Sequence, residues 1–377
     1  MKTVSLQRYV DWLVQDAVPV WLERGHDVAS GFFYDKFHLD GRADPTALLR
    51  TRAQFRQVYT LAHAASLGVT DVDRALSVAT TAAAALHRAA WGQGGRPGWI
   101  KTFTMAGEAV DATRDLYDHA FVLLGLAWLA KATGDGLYRT WIDDTLAAID
   151  TVLAAPAAGW AEDDAGGGPR RQNPHMHQLE ASLALYETTG EARFLERATA
   201  MVTLFERSLF DPATGSLREY FGPEWQAGPQ WHSDERLEPG HHVEWVWLLR
   251  RYARAVPEAR VDGWCAALLA RAKALGAIAP HGFLALESDP QGAPLQDRQR
   301  LWTQTEYIKA LLVQGELAAA ETLAGHFLDV YLKPAPRGCW IDLFTVAGEP
   351  VAADIPASSL YHLFAALPEI RLALGQA

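Results

Sequence analysis

Apolar residues recur every three to four positions along most of this chain, which is the periodicity of an α-helix with one buried face. Ala, Leu, Glu and Arg fill these stretches, as helix propensity favours, and little of the sequence is rich in β-forming residues. Glycines such as Gly68, Gly134 and Gly190 follow several of the stretches. The pattern predicts an all-α protein with helices over residues 5–29, 46–67, 71–90, 111–133, 136–154, 173–189, 191–208, 240–255, 260–277, 300–314, 316–331 and 356–373.

A longer repeat divides the chain into six similar units. Each unit begins with a glycine and an apolar segment, continues through a polar turn and then enters a helix; the six glycines are Gly31, Gly98, Gly159, Gly215, Gly282 and Gly338. Short apolar runs beside the turns predict small hairpins at residues 32–39, 100–105, 283–287 and 340–346. A repeated unit of hairpin, helix, tight turn and helix is typical of helical-repeat proteins.

The ends of the chain indicate how the six units are arranged. An open array needs polar capping repeats, but the last helical stretch, residues 355–374, is as apolar as the internal ones. Closure into a ring removes the need for caps, and no Pro/Ser-rich linker divides the chain. We therefore predict a single (α/α)6 barrel domain over residues 1–377. One helix of each pair lines its inside, the hairpins gather at one rim, and the inner helices begin around a common pocket.

Polar and titratable side chains stand at the start of every predicted inner helix. His241 and Glu244 share a helical face with Trp245 and Leu248, so a histidine and a carboxylate head an otherwise apolar stripe. Burying such groups is costly unless they are partnered or used. The other starts carry Arg52, Arg56, Tyr59, Asp115, Tyr117, His119, Asn173, His177, Glu180, Trp302, Gln304, Glu306 and His362. Aromatic rings among Arg, Asn, Gln and Glu suit a small polyhydroxylated ligand.

Two of these residues can carry acid–base chemistry. His241 and His362 come from different repeats and can act as a general acid and base near neutral pH, with Glu244 orienting or charging an adjacent imidazole. Such a pair suits proton transfer at a carbon next to a carbonyl. No nucleophile elbow, P-loop or dinucleotide motif occurs in a suitable context. Histidines are available as metal ligands, but no HExxH or tight three-ligand cluster is present, so we predict no metal and no cofactor.

Several candidates have an equally simple structural explanation. Arg52 can be an ion-paired helix residue, Asn173 can be an N-cap, and a tryptophan such as Trp302 is more often part of a core. His175 and His242 point off the helical faces of their neighbours His177 and His241, because each residue turns a helix by roughly 100°. We interpret these two as structural.

Composition limits the partners and the cellular location that we expect for the protein. Its 34 Lys and Arg against 45 Asp and Glu give a net charge of −11, and no basic cluster stands out, so nucleic acid is not an expected partner. Neither of its two cysteines has disulfide or zinc spacing. The longest near-apolar run, residues 120–130, is about half of the ~20 residues that a membrane span needs. We expect a cytoplasmic protein without membrane partners, acting as a monomer or homodimer.

Five stretches, in order over nearly the whole chain, resemble the N-acylglucosamine 2-epimerase superfamily. They are residues 31–59, 173–181 (NPHMHQLEA), 238–245 (EPGHHVEW), 300–306 (RLWTQTE) and 356–362 (PASSLYH). The superfamily includes mannose isomerases, sulfoquinovose isomerase and cellobiose 2-epimerases. The resemblance implies an (α/α)6 barrel that needs no metal, in agreement with the repeat.

The resemblance also implies roles for individual residues. His362 would remove the C2 proton of an open-chain aldose. His241 would assist ring opening and deliver a proton to C1 through a cis-enediol, and Glu244 matches the glutamate of the same motif. The expected substrate contacts, from the motifs and the helix starts together, are Arg52, Tyr117, Asn173, His177, Arg236, Trp302 and Gln304.

The identity of the sugar is a choice among related reactions. The EPGHH form and the lack of an evident nucleotide-binding insert favour isomerisation of D-mannose and related aldoses such as D-lyxose over 2-epimerisation. A 2-epimerase shares the first proton abstraction and returns the proton to C2 instead of C1. A glycoside-cleaving barrel needs a pair of central carboxyl groups, whereas Glu244 is the one strong candidate here. A non-catalytic sugar-binding repeat protein is the third hypothesis.

Overall fold

The computed structural model describes residues 3–232 and 235–376, and most of this part of the chain is helical. The helices are α1 (Val4–Trp12), α2 (Val18–Arg24), α3 (Thr51–Ser66), α4 (Val72–Ala90), α5 (Leu116–Thr133), α6 (Gly136–Val152), α7 (Gln172–Thr189), α8 (Ala192–Leu204), α9 (Pro239–Ala255), α10 (Asp262–Gly276), α11 (Leu301–Val313), α12 (Leu317–Phe327), α13 (Ser358–Ala365) and α14 (Leu367–Ala373).

Six of the helices form a closed inner ring. In the order α3, α5, α7, α9, α11 and α13, each helix contacts the next one, and α13 returns to contact α3. Outside the ring, α4, α6, α8, α10 and α12 each lie against the inner helix that precedes them, and α1 lies against α12 and α14. The predicted all-α (α/α)6 barrel is confirmed.

The two rings differ in how their side chains are buried. Nearly every residue of α5 and α7 is buried, because these helices are surrounded by other helices. The outer helix α4 buries a single stripe that includes Ala75, Ala79 and Leu86, as expected for a helix with one face in water. Within the ring, a Cβ on Gly125 would lie 2.8 Å from the Phe55 carbonyl oxygen, so this glycine permits the close approach of α3 and α5.

Helix starts are where the observed elements depart most from the predicted ones. The predicted helices 46–67 and 111–133 begin only at Thr51 and Leu116, because strands occupy the residues before them. The predicted helix 356–373 is two helices, and Pro368 in the first turn of α14 cannot continue the hydrogen bonding of α13. Three outer helices are extended by a single π-helical turn, at Leu13–Ala17, Phe205–Leu209 and Leu328–Leu332.

Short strands join neighbouring units at one rim of the barrel. They are β1 (Lys36–Phe37), β2 (Leu49–Arg50), β3 (Ile100–Phe103), β4 (Ala109–Arg114), β5 (Arg170–Arg171), β6 (Phe210–Asp211), β7 (Ser216–Leu217), β8 (Tyr220–Phe221), β9 (Ala277–Ile278), β10 (Phe283–Leu284), β11 (Gln299–Arg300), β12 (Leu343–Phe344) and β13 (Ile355–Pro356). All pairs are antiparallel, and β2–β3, β5–β8 and β11–β12 each link successive units. The pair β1–β13 links the last unit to the first, so the rim closes as the helix ring does.

The four predicted hairpins are only partly correct. Each of the four segments contains a strand, and β3 forms a true hairpin with β4. β1 and β12 instead pair with strands of neighbouring units, and their own turns are closed by the isolated bridges Phe37–Ala43 and Phe344–Pro350. Pairing between units could not be read from local apolar runs, because it depends on closure of the ring.

One backbone contact recurs in five of the six units. Near the start of each unit, a backbone N–H donates to a side chain on the unit's inner helix, at 2.8–3.1 Å. We call the accepting side chains the tethering residues; they are Gln54, His119, His175, His242 and Gln304.

The hydrogen bonds and burial of the three tethering histidines keep their imidazoles neutral. In each, Nδ1 donates to a carbonyl of its own helix or N-cap, so Nε2 is the nitrogen that accepts the backbone N–H. Burial lowers the pKa of His119 and His242 to about 4 and that of His175 to about 3. His175 and His242 therefore have the structural place that was expected for them.

Candidate active site

A cavity of about 300 Å³ lies where the first turns of the inner helices meet. Seven of the ten predicted site residues line it, namely Tyr117, Asn173, His177, His241, Glu244, Trp302 and His362. They come from five different inner helices, so the cavity exists only because the ring is closed. Arg52, Arg236 and Gln304 do not line it.

Trp302 stands between the two candidate acid–base histidines. Its ring centroid is 5.3 Å from that of His241 and 5.6 Å from that of His362. A Cβ on Gly240 would lie 2.6 Å from the Trp302 ring, so α9 can approach α11 this closely only with glycine before His241. The Pro-Gly-His sequence thus brings His241 beside a flat aromatic surface.

His241 is surrounded by carboxylates. Its Nδ1 lies 2.9 Å from Glu219 Oε2 and 3.4 Å from Glu238 Oε2. Burial by itself would lower the pKa of His241, but the charges of Glu219 and Glu238 outweigh burial and raise the pKa to about 10. His241 is therefore an imidazolium at neutral pH and can donate a proton.

His362 has the opposite character. Its Nδ1 lies 2.8 Å from Glu306 Oε1, which leaves Nε2 as the nitrogen free for a ligand. Burial, followed by the positive charges of Arg56 and Lys309, lowers the pKa of His362 well below its usual value. His362 is therefore a neutral imidazole and can accept a proton. Two groups whose pKa values are driven apart in one cavity are suited to act as acid and base.

Glu244 does not hydrogen-bond to either acid–base histidine. Glu219 and Glu306 hold these two histidines, whereas Glu244 Oε1 lies 3.9 Å from Nε2 of His177 and has no hydrogen-bond partner among the described residues. Burial and the neighbouring Glu306 raise the pKa of Glu244 well above its usual value. Glu244 lines the cavity, and its charge contributes to the raised pKa of His241.

A short chain of hydrogen bonds through Glu180 and Tyr361 holds His177 in place. Its Nδ1 lies 2.9 Å from Glu180 Oε2, and the Tyr361 hydroxyl donates to Glu180 Oε1 at 2.5 Å. Burial lowers the pKa of His177 to about 4, despite the nearby Glu180 carboxylate. His177 is thus a neutral and rigidly held side chain of the cavity wall.

Arg56 and Arg300 line the cavity, whereas the predicted Arg52 does not. Arg52 forms an ion pair with Asp118 at 3.0 Å and lines an adjoining hollow near the rim. Arg56 is buried in the cavity wall, donates to the Tyr117 hydroxyl at 2.8 Å, and lies 3.9 Å from the Phe121 ring centroid. Among the described residues, no carboxylate forms an ion pair with Arg56. Its positive charge is consequently available to a ligand.

Asn173 is available to a ligand as well. The N-cap of α7 is Arg171, so the alternative explanation of Asn173 as an N-cap is wrong. Its Oδ1 atom is buried without a hydrogen-bond partner among the described residues. An unpaired buried acceptor in a cavity wall is costly unless a ligand satisfies it.

Two predicted substrate contacts lie elsewhere. Gln304 is a tethering residue whose amide oxygen accepts from Leu284 N at 2.8 Å and whose nitrogen donates to Leu284 O at 2.9 Å, so both of its polar ends are used. Arg236 is 41% exposed and pairs with Glu287, which itself lines the cavity. The position of Gln304 corrects the prediction that it contacts sugar, and Arg236 reaches the cavity only through Glu287.

Sequence reasoning missed Glu219 as a partner of His241 and did not give Glu306 a role. Glu219 lies in the irregular stretch before α9, residues 218–238, where no periodicity indicates which side chains face inward. Glu306 was findable, because it follows Trp302 by four residues and therefore shares its helical face.

Within the described part of the chain, three sets of side chains have atoms close enough to hold a metal ion: His177, Glu180 and Glu244; Glu219, Glu238 and His241; Glu244, Glu306 and His362. Each set already contains a hydrogen-bonded histidine–carboxylate pair. His241 is an imidazolium, and the Lys309 ammonium lies 2.6 Å from Glu306 Oε2, so both would oppose a divalent cation. These charges and hydrogen bonds favour acid–base roles over metal binding.

The barrel and its cavity are suited to an enzyme that acts on a small polar substrate. Residues 31–366 match the sequence model of the N-acylglucosamine 2-epimerase (GlcNAc 2-epimerase) family, and the chain belongs to this family. It is an isomerase or epimerase that acts on sugars. No helix in the described part of the chain is long and apolar enough to cross a membrane.

Relatives with established names span both reactions. The chain is 30% identical to a mannose-6-phosphate isomerase of Rhizobium meliloti (strain 1021), over 95% of each chain. It is 28% identical to a D-mannose isomerase of Thermobifida fusca, over 73% of this chain and 74% of the relative. The solved structure of cellobiose 2-epimerase from Spirochaeta thermophila DSM 6192 superposes with a TM-score of 0.84 at 21% identity, covering 98% of this chain and 96% of the other.

Proposed function

We propose that this protein is an aldose–ketose isomerase that interconverts D-mannose and D-fructose and also acts on related aldoses such as D-lyxose. The observation that carries the proposal is the pair of histidines with opposite protonation, the His241 imidazolium and the neutral His362, on either side of Trp302 in one cavity. The name of the Thermobifida fusca relative supports the choice of sugar. We further propose that residues 1–377 form one catalytic domain. It would act in the cytoplasm as a monomer or homodimer, without a metal or other cofactor.

The reaction would follow from these protonation states. The His241 imidazolium donates a proton to the ring oxygen as the sugar opens, and the O1 hydroxyl gives its proton back to the imidazole, so His241 is protonated again. Nε2 of His362 takes the C2 proton, and the electron pair forms the C1=C2 bond of a cis-enediolate whose negative charge develops on O1. Isomerisation finishes when His241 protonates C1 and the O2 hydroxyl passes its proton to O1, which leaves a ketone at C2. The proton held by His362 then returns to His241 through solvent.

Arg56 would stabilise the charge that develops on the enediolate. It is a buried cation without a carboxylate partner among the described residues, lying in the wall of the cavity. A fixed positive charge in a site with little water stabilises a developing oxyanion more than it would in bulk water. Asn173, His177 and Trp302 would hold the hydroxyl groups and the face of the sugar.

A neutral monosaccharide fits the charges around the mouth better than a phosphorylated one. Arg56 in the cavity wall has no carboxylate partner within the described ranges, but five cations around the mouth each have one: Arg50 with Asp35, Arg52 with Asp118, Lys101 with Asp115, Arg171 with Glu162, and Arg300 with Asp342. Paired charges of this kind attract a phosphate only weakly. We therefore favour D-mannose, although one relative is named for the 6-phosphate.

The second candidate is a sugar 2-epimerase, of the mannose, N-acylglucosamine or cellobiose type. One observation favours the cellobiose type: a hollow of about 650 Å³ adjoins the cavity and shares Leu286 and Arg300 with it, which leaves room for a second sugar ring. The first proton abstraction would be the same. The two functions differ in whether the proton is returned to C1 or to C2.

One product analysis separates these functions. The enzyme is incubated in D2O with D-mannose, D-lyxose, D-glucose, cellobiose or mannose 6-phosphate, and the products are followed by NMR, with the His362→Ala variant as control. Fructose from D-mannose, with deuterium at C1 where the proton exchanges, supports the proposal. Glucose alone from mannose, or epimerisation of cellobiose alone, supports the second candidate. Turnover of only the 6-phosphate would overturn the choice of a neutral sugar, and turnover of none of the five would overturn both functions.

A further inference from the structure

A lysine ammonium lies completely buried beneath the cavity. Lys309 is on α11, one turn after Glu306, and its side chain is 0% exposed. Its Nζ atom is 2.6 Å from Glu306 Oε2 and 3.4 Å from the centroid of the Trp247 ring. Burying an ammonium costs several kcal/mol unless paired charges offset it, so its presence in the barrel axis calls for an explanation.

The groups around Lys309 are mainly acidic. Glu306 shares its helix, Glu180 comes from α7, and Glu244 comes from α9. All three carboxyl groups are buried, and the Lys309 charge lowers the pKa of each of them. The other titratable groups that face this cluster are Tyr9, Tyr59, His177, His241, Tyr361 and His362, and the further cations are Arg56, Arg251 and Arg300.

The protonation of Glu306 determines which nitrogen of His362 carries the proton. As a carboxylate, Glu306 can only accept, so Nδ1 of His362 must donate and Nε2 keeps its lone pair. As a neutral acid, Glu306 can donate to Nδ1, and the imidazole proton then moves to Nε2. His362 in that tautomer could not take a proton from a ligand.

We propose that Lys309 is a positioning residue, whose ammonium holds Glu306 as a carboxylate and so keeps His362 in the tautomer with a free Nε2. The inference rests on the proposed role of His362 as the base. Lys309 reaches no ligand itself, because Glu306 and Trp247 surround its Nζ atom and it does not line the cavity. Its main effect would pass through Glu306, and its charge also lowers the pKa of His362 directly.

The Lys309→Met variant tests the proposal by its pH profile. Burial raises the pKa of Glu306 to about 7 even with the ammonium beside it, so loss of the ammonium raises that pKa further. We expect the acidic limb of kcat to move up by about 1–3 pH units, because an opposite charge at this distance shifts a carboxyl pKa by that amount. At pH 7 kcat would fall by about 5- to 500-fold for a shift of that size, with KM nearly unchanged.

Matched variants separate this effect from a loss of structure. Lys309→Arg keeps the charge and should restore part of kcat and the original acidic limb. Lys131→Met removes an exposed lysine that also lies over a tryptophan, Trp128, at 5.0 Å from the ring centroid, and should change neither. An acidic limb of Lys309→Met that coincides with that of the wild type would overturn the proposal, as would a fall in kcat that Lys309→Arg does not reverse at all.

A second measurement does not depend on turnover. Nitrogen-15 NMR of the wild-type protein at neutral pH should show the proton of His362 on Nδ1, assigned by comparison with His362→Ala. In folded Lys309→Met the proton should move to Nε2. A wild-type His362 protonated on Nε2 would overturn the proposal. This readout stands apart from the proposed function, because a correct tautomer in a protein inactive on all five sugars would reject only the reaction.

Discussion

Each side of the cavity contains a histidine hydrogen-bonded to a glutamate, but the pKa values of the two histidines are shifted in opposite directions. His241 is hydrogen-bonded to Glu219 and His362 to Glu306, each through Nδ1 at 2.8–2.9 Å. Yet the pKa of His241 is raised to about 10 by Glu219 and Glu238, against burial, and the pKa of His362 is lowered by burial, Arg56 and Lys309. One carboxylate contact therefore does not decide the charge of a buried imidazole; the next neighbours do.

Removal of either His241 or His362 should have the largest effect on kcat, because it eliminates one member of the acid–base pair. His241→Ala and His362→Ala should each lower kcat by about 10²–10⁴-fold, because general acid–base catalysis by a positioned side chain contributes that much. Steady-state assays on D-mannose, with circular dichroism to verify helicity, provide the measurement. His38→Ala removes an exposed histidine and should leave the rate unchanged. Wild-type rates in either of the first two variants would remove the acid–base pair from the mechanism.

The two arginines of α3 give the next largest effect. Arg56→Met removes an unpaired buried cation from the cavity wall and should lower kcat/KM by about 10²–10³-fold, the range found for loss of one oxyanion-stabilising group. Arg52→Met breaks an ion pair outside the cavity and should cost less than about tenfold. Equal losses in both variants, measured on the same sugar, would mean that Arg52 contacts the substrate as the sequence had suggested.

The pH profile sharpens the contrast between the histidines. The active form needs Glu306 ionised and His241 protonated, so kcat should rise through about pH 7 and fall towards about pH 10. Glu219→Gln removes a charge that raises the pKa of His241, so the alkaline limb should move down by about 1–3 units. Glu224→Gln, in the same irregular segment but exposed, is the control. An unmoved alkaline limb in Glu219→Gln would show that His241 does not set it.

The smallest expected effect on catalysis belongs to the tethering residues. Gln304→Ala leaves the N–H and C=O of Leu284 without their partner and should lower the free energy of unfolding by about 1–3 kcal/mol. Thermal or urea unfolding gives the stability, and KM for D-mannose should stay close to that of the wild type. A large rise in KM at unchanged stability would instead restore Gln304 as a sugar contact.

Adjacent residues show how far sequence reasoning reached and where it stopped. The 100° step between neighbours on a helix correctly separated the cavity residue His241 from the structural His242. The same reasoning could not separate Arg52 from Arg56, which are four residues apart on one face. The helical pattern shows which face a residue lies on, but not how deep in the barrel it lies. Gln304 was misassigned because its hydrogen-bond partner, Leu284, belongs to another segment of the chain, which the helical pattern around Gln304 does not reveal.

The sequence by itself determined the elements and the ring, because periodicity, turn glycines and a six-fold repeat are local properties that each unit expresses independently. It also determined that three imidazoles, those of His177, His241 and His362, reach the common cavity, through their places at the helix starts. Only the tertiary structure decided the charge on each. The partners Glu219, Glu306, Arg56 and Lys309 come from other segments or other depths, and electrostatic effects depend on distance in space and on burial, not on separation along the chain.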